Sequence, residues 1–217
     1  MRVIVTGVTG MVGEGVLLEC LQSPDVEKVL AVSRKPVKQA HPKLEQLQVA
    51  DFRQLGDIEA QLTGYDGCFY CAGVSSVGMS EADYTVISHD TPVAFATTLA
   101  RLNPSLVFTY VTGLHTDENG KRMWARVKGR AESALAKLPM KAAYAFRPGL
   151  MTPKRGQQHL KLGYKVALVF APLLKLFFPA LSLEQVGRAM LQCVKVGAPK
   201  PVLEIPDIAE LARAYQA

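Results

Sequence analysis

The chain has 217 residues, of which 49% are apolar and 20% charged, with a formal net charge of +6. These values exclude a disordered or fibrous chain and predict a single domain, 1–217, large enough to bury a sizeable core. The basic residues are scattered along the chain with no basic run, which points to a phosphate-bearing small ligand and against nucleic acid.

The first informative stretch is RVIVTGVTGMVG, Arg2 to Gly13. Val3, Ile4 and Val5 have the pattern of a strand buried on both faces. Gly7, Gly10 and Gly13 follow at equal spacing, and Val16, Leu17, Cys20 and Leu21 then recur at helical spacing. Strand, glycine turn and helix form the context of a dinucleotide fingerprint. Glycines let the backbone approach a pyrophosphate, and the helix N-terminus offers free N–H groups and a positive dipole end. The spacing is GxxGxxG rather than GxGxxG. Thr6, Gly7, Thr9, Gly10, Met11 and Gly13 are the candidate cofactor contacts of this turn.

A second apolar strand spans Lys28 to Val32 and ends in Ser33-Arg34-Lys35-Pro36. A carboxylate about 20 residues past the glycines would bind the adenosine ribose of NAD. Here Ser33 stands before two cations, which attract a 2′-phosphate. Ser33, Arg34 and Lys35 therefore predict NADP(H) in preference to NAD(H), with NAD(H) as the alternative. Leu44 to Ala50 reads as a third, weaker strand leading to Asp51 and Phe52, which are expected beside the adenine. Leu55 to Leu62 reads as a helix.

The fourth strand, Cys68 to Ala72, ends in Gly73, and small residues at a strand's carboxyl end suit close cofactor approach. Cys71, Ala72 and Gly73 are assigned to it. Cys68 and Cys71 form a CxxC, but positions three apart on a strand point to opposite faces, so neither a metal site nor a disulfide is expected. A helix is predicted from Ser80 to Leu102, with Ser80 and Glu81 as start signals. The fifth strand, Leu106 to Val111, leads to Thr112-Gly113-Leu114-His115. A helix follows from Met123 to Leu138, then a sixth strand, Lys141 to Phe146, closing with Arg147-Pro148-Gly149. This alternation predicts an α/β fold, a doubly wound parallel sheet of Rossmann type with helices on both faces.

The last part, 150–217, reads as a small, mostly helical region on the substrate side or at an interface. Within it, 160–181 is strongly apolar. Lys165 and Lys175 interrupt it, and Pro172 and Pro179 break its helix, which argues against a membrane span. It suits a cover over a cleft or a homodimer interface, or peripheral contact with a membrane surface. A helix over Leu183 to Val196, a short strand over Val202 to Ile205 and a helix from Pro206 complete the chain. A strand beginning at residue 2 leaves no room for a secretion signal, and the unpaired thiols suit a reducing compartment, so a cytoplasmic location is expected.

The TGVTGMVG turn, the CAG of 71–73, the WARVKGRAE helix of 124–132 and Arg147-Pro148-Gly149 together resemble the short-chain dehydrogenase/reductase superfamily, in its atypical or extended branch. The resemblance covers nearly the whole chain. It is nearest the small Tat-interacting-protein-like group and bacterial chains labelled NAD-dependent epimerases. Active members of the superfamily carry YxxxK and an earlier Ser. The resemblance implies that Lys128 matches the lysine and reaches the nicotinamide ribose, that Thr112 matches the serine, and that Pro148 and Gly149 sit near the nicotinamide. The tyrosine position holds Trp124, whose indole N–H donates but does not titrate. His115, by its ordinary pKa, is the best substitute acid, with Tyr84 and Tyr110 weaker. An oxidoreductase of unassigned substrate and a non-catalytic NADP(H)-responsive binding or scaffold protein both fit this departure.

Overall fold

A computed structural model describes residues 1–158 and 180–216. Seven parallel strands form one sheet in the order β3-β2-β1-β4-β5-β6-β9, the Rossmann order with one strand added at the β6 edge. They are β1 (Arg2–Thr6), β2 (Lys28–Ser33), β3 (Leu44–Gln48), β4 (Gly67–Tyr70), β5 (Val107–Val111), β6 (Ala142–Phe146) and β9 (Val202–Leu203). β7 (Leu150–Thr152) and β8 (Ala180–Ser182) pair in a separate two-stranded sheet that the sequence did not announce. Three residues are too few to show a period.

Alternate side chains of each strand feed two cores. Val3, Val5, Val29, Ala31 and Phe69 pack under α1 (Met11–Gln22) and two C-terminal helices. Ile4, Leu30, Cys68, Phe108 and Tyr110 pack under the helices of the opposite face. Cys68 lies in one core and Cys71 against the other, and all four cysteines are free thiols.

The segment expected as a helix around Leu55 to Leu62 is a 3₁₀ helix over Gly56–Leu62. The helix expected from Ser80 is present, started by the Ser80 hydroxyl, which accepts from the Asp83 amide at 3.1 Å. It runs as α2 (Glu81–Thr85), a π-helical turn (Val86–Asp90) and α3 (Thr91–Leu102). Pro92 accounts for the break, because it has no N–H for the Ser88 carbonyl. The Tyr110 hydroxyl donates to that carbonyl instead, at 2.7 Å. Thr91 closes the wide turn by donating both its amide and its hydroxyl to the Val86 carbonyl.

The C-terminal helices α5 (Leu183–Lys195) and α6 (Ile205–Ala214) belong to the layer that covers the sheet. Gly15 and Gly187 let α1 and α5 touch, since a Cβ on Gly15 would lie 2.7 Å from Leu183 and one on Gly187 2.7 Å from Glu19. The apolar stripes of these two helices face the first core. The apolar stretch 160–181 lies outside the described residues except for Ala180 and Leu181. Among the described residues no helix is long and apolar enough to cross a membrane.

α4 (Met123–Leu135) carries a glycine in its interior, Gly129. The β5–α4 loop crosses the helix there, so that a Cβ would lie closer than 3.0 Å to Glu118 and Asp117 backbone atoms. Helix propensity favours Ala over Gly by about 1 kcal/mol. Gly129→Ala should nevertheless destabilise the protein, by about 1 kcal/mol or more net, because backbone cannot give way as a side-chain tip can. Urea denaturation measures the sign, and a gain in stability would place the loop elsewhere.

Candidate functional site

β1 ends at the glycine turn, and the turn is pressed against the end of β4. Gly7 has φ +68°, and a Cβ there would stand 2.6 Å from the Cys71 carbonyl and the Ala72 amide. The Thr6 hydroxyl, fully buried, accepts from the amides of Cys71 and Ala72, both at 3.2 Å. Gly13 turns its missing Cβ toward the Gly7 carbonyl. Gly10 is the N-cap of α1 and supplies no side-chain cap. The first-turn amides of that helix are left for an anion.

Around this turn lies a groove of ≈570 Å³ at the carboxyl ends of β1, β2 and β4. Gly7, Thr9 and Gly10 line it together with Ser33, Arg34 and Lys35. So do Asp51, Phe52, Cys71, Ala72 and Gly73. The fold thereby brings eleven of the sequence-predicted residues to one site. Thr6 and Gly13 stand behind its wall, where they set the turn. Met11, Pro148 and Gly149 do not line the groove; the Met11 carbonyl accepts from the Gln157 side chain at 2.6 Å. Gly149 has φ +63°, so a left-handed turn follows Pro148.

Arg34 and Lys35 are exposed and have no ion-pair partner among the described residues. The Ser33 hydroxyl donates to the Lys35 carbonyl at 2.6 Å, which shapes the turn that presents both cations. Phe52 is largely core: its ring packs 5.3 Å from that of Phe95. Asp51 receives a bidentate contact from Arg53, with Nη2 at 2.8 Å and Nε at 3.1 Å. That hydrogen bonding holds the Asp51 carboxyl below the usual range. Burial pushes the Cys71 thiol up to about 12, so it meets the groove uncharged.

Sequence reasoning missed Arg53, Val74, Val86, Ile87 and Thr91, all on the groove wall. Val86, Ile87 and Thr91 arrive through the π turn. The Pro92 that causes it was visible, but its effect depends on the Tyr110 hydroxyl, 18 residues along the chain and distant in sequence pattern.

The residues expected at the chemistry gather at the end of β5. The half-buried Lys128 side chain donates from its ammonium to the Thr112 carbonyl at 3.0 Å and the Val111 carbonyl at 3.3 Å. Its nitrogen also lies 5.8 Å from the Tyr110 ring centre. Trp124 lies against Gly113, where a Cβ would be 3.3 Å from the indole. The Thr112 hydroxyl donates to Glu132 at 2.6 Å. The Tyr110 hydroxyl is engaged at the Ser88 carbonyl, and burial raises its phenol. Tyr84 is buried in α2. His115 is exposed and has φ +65°, a left-handed conformation that few non-glycine residues adopt. A second cavity, ≈500 Å³, lies between α4 and strands β6 and β9, and none of the predicted cofactor residues line it.

A parallel sheet of this order, with a glycine turn opening onto a groove at the strands' carboxyl ends, defines a Rossmann-type α/β fold. Residues 3–108 match the NAD dependent epimerase/dehydratase family. Leucinostatins biosynthesis cluster protein T of Purpureocillium lilacinum is 34% identical over 141 residues, 64% of this chain and 52% of that protein. The match thus takes in about half the length of that curated relative. WbmF of Bordetella bronchiseptica, solved in complex with NAD+, has a similar fold with a TM-score of 0.68 and 16% identity, over 98% of this chain and 76% of that one. Glucuronic acid dehydrogenase from Chromohalobacter salexigens is similar with a TM-score of 0.68 and 16% identity, over 94% of this chain and 75% of that one.

Burial pushes the Lys128 amine down to about 8, against an upward pull from Glu132. An unfolded lysine titrates near 10.4. Between these values the unfolded chain holds the extra proton, so stability rises with pH across that window and is lost as pH falls through it. Denaturation at pH 8 and pH 10 should show wild type gaining about 2 kcal/mol more than Lys128→Met. Equal pH dependence would mean that the ammonium is solvated.

Proposed function

We propose that this protein binds NADP(H) in the groove and acts as an oxidoreductase of the short-chain dehydrogenase/reductase type. The observation that carries the reading is the rim of the groove. Two cations without an ion-pair partner among the described residues, Arg34 and Lys35, stand where a carboxylate would favour NAD, and Arg53 stands nearby on the same wall. The residues fit the group: the uncapped α1 N-terminus suits the pyrophosphate, and the cradle between Gly7 and Gly13 would be filled by any Cβ. Asp51 and Ile87 flank the part of the groove suited to the adenine.

When bound, the cofactor supplies or accepts a hydride. The chain's own part is to bind, orient and manage the proton. Lys128 is the candidate to hold the nicotinamide ribose. Trp124 contributes a flat apolar surface and one N–H donor at the place of the usual tyrosine, and it does not carry the proton. His115, on the loop between β5 and α4, is the candidate acid. Trp124 also favours a second reading, an NADP(H)-responsive binding protein without turnover. The uronate chemistry named for the structural neighbour remains that protein's own.

Titration with NADPH and NADH tests both readings. NADPH should bind more tightly and quench the fluorescence of Trp124, the single tryptophan of the chain. Replacing Arg34 and Lys35 by Ala should weaken NADPH by about 2 kcal/mol and spare NADH, through loss of charge-assisted bonds. Equal losses for both cofactors would remove the NADP preference. Binding with no turnover on any carbonyl or alcohol substrate, unaltered by Lys128→Ala, would favour the second reading.

A further inference from the structure

Lys128 and the Arg147-Pro148-Gly149 turn belong to different elements, and one carboxylate joins them. Glu132 stands one helical turn beyond Lys128 on α4, and its side chain is only 8% exposed. The bonds it makes reach away from its own helix. Oε1 accepts from the Thr112 hydroxyl at 2.6 Å, at the end of β5, and from Arg147 Nε at 3.1 Å, just past the end of β6. Oε2 pairs with Arg147 Nη2. Arg147 continues to Glu204 Oε1 at 3.5 Å, immediately before α6. A pair needed only to hold helix to sheet could sit anywhere along these elements. This one sits at the carboxyl ends of β5 and β6, the edge of the sheet where ligands are taken.

We propose that Glu132 is a positioning residue for the nicotinamide half of the cofactor. It holds the Lys128 helix, the Thr112 end of β5 and the turn at Pro148-Gly149 in one register, and it touches no ligand itself. This rests on the dinucleotide reading given above. The charge of Glu132 also supports the ammonium of Lys128 against burial, which ties the same carboxylate to the same end of the site. Thr112 is thereby oriented by Glu132, and its hydroxyl proton is directed at the carboxylate.

The test is calorimetric binding of two probes to the full chain. NADPH reports on the whole site. Adenosine 2′,5′-bisphosphate carries the 2′-phosphate and the adenine but no nicotinamide. Removing one member of a buried ion pair leaves an uncompensated charge, whereas an apolar pair of similar volume is tolerated. Glu132→Gln is therefore measured beside the double variant Glu132→Leu with Arg147→Met. Both should bind NADPH roughly tenfold more weakly, the loss expected for a charge-assisted hydrogen bond, and keep the wild-type affinity for the bisphosphate. An equal loss of both probes, or unchanged NADPH binding in the double variant, overturns the positioning role. A wild-type chain that binds the bisphosphate as tightly as NADPH overturns it as well. A wild-type chain that binds neither probe overturns the dinucleotide reading, and the inference with it.

Discussion

The contact between the glycine turn and the end of β4 sets the geometry on which the rest of the site depends. A backbone that passes this close to another strand admits no Cβ at Gly7 and none at Gly13. The buried Thr6 hydroxyl satisfies two amides that β4 would otherwise leave open as it turns away from β1. Buried donors need partners, and a threonine at a strand end is the smallest side chain that serves two of them while resisting rotation. The turn is therefore held by strand pairing, steric contact and side-chain bonding together, and α1 leaves it with its first-turn amides turned outward. Amides left open this way can serve an anion without a charged side chain.

The wall opposite the turn depends on a different device. Pro92 cannot continue the α-helical ladder, and the chain widens into a π turn whose free carbonyl is taken by Tyr110. The widening presents Val86 and Ile87 to the groove. It also fixes Tyr110, and Tyr110 in turn bounds the pocket of the Lys128 ammonium. The phenol is committed to a backbone carbonyl and the ammonium to two others. Trp124, near the start of α4, stands beside the same strand end. Its ring lies against Gly113 and so shapes the loop that carries His115.

On the other face, α1 is secured at several points. Glu19, buried, pairs with Lys154 and with Arg188, which joins α1 to α5 and to the chain just beyond β7. Gln157 and Gln158 add bonds to the Met11 carbonyl and to Glu14. The helix that opens at the glycine turn is consequently braced by residues far along the sequence. Such a buried carboxylate is stable only because both cations reach it.

The parallel sheet, the order of its elements and the glycine turn were legible from the sequence alone. Period-two and period-3.6 patterns are local, and a GxxGxxG run between a strand and a helix has few other uses. The cations at Arg34 and Lys35 were legible for the same reason, since they follow a strand end at a known distance from the turn. Tertiary structure alone decided which predicted residues share the groove and which stand behind it. Thr6 and Gly13 read as contacts because they belong to the motif, yet their side-chain positions are occupied by β4 and by the turn itself. Ile87 and Thr91 carried no signal, because the π turn that brings them to the groove frees a carbonyl that only a hydroxyl from another strand takes up. The role of Glu132 was equally hidden, as an ordinary helical glutamate becomes a junction only when the ends of β5 and β6 are brought to it. Local pattern determines what a segment becomes, while burial and the meeting of distant strand ends determine what its side chains can do.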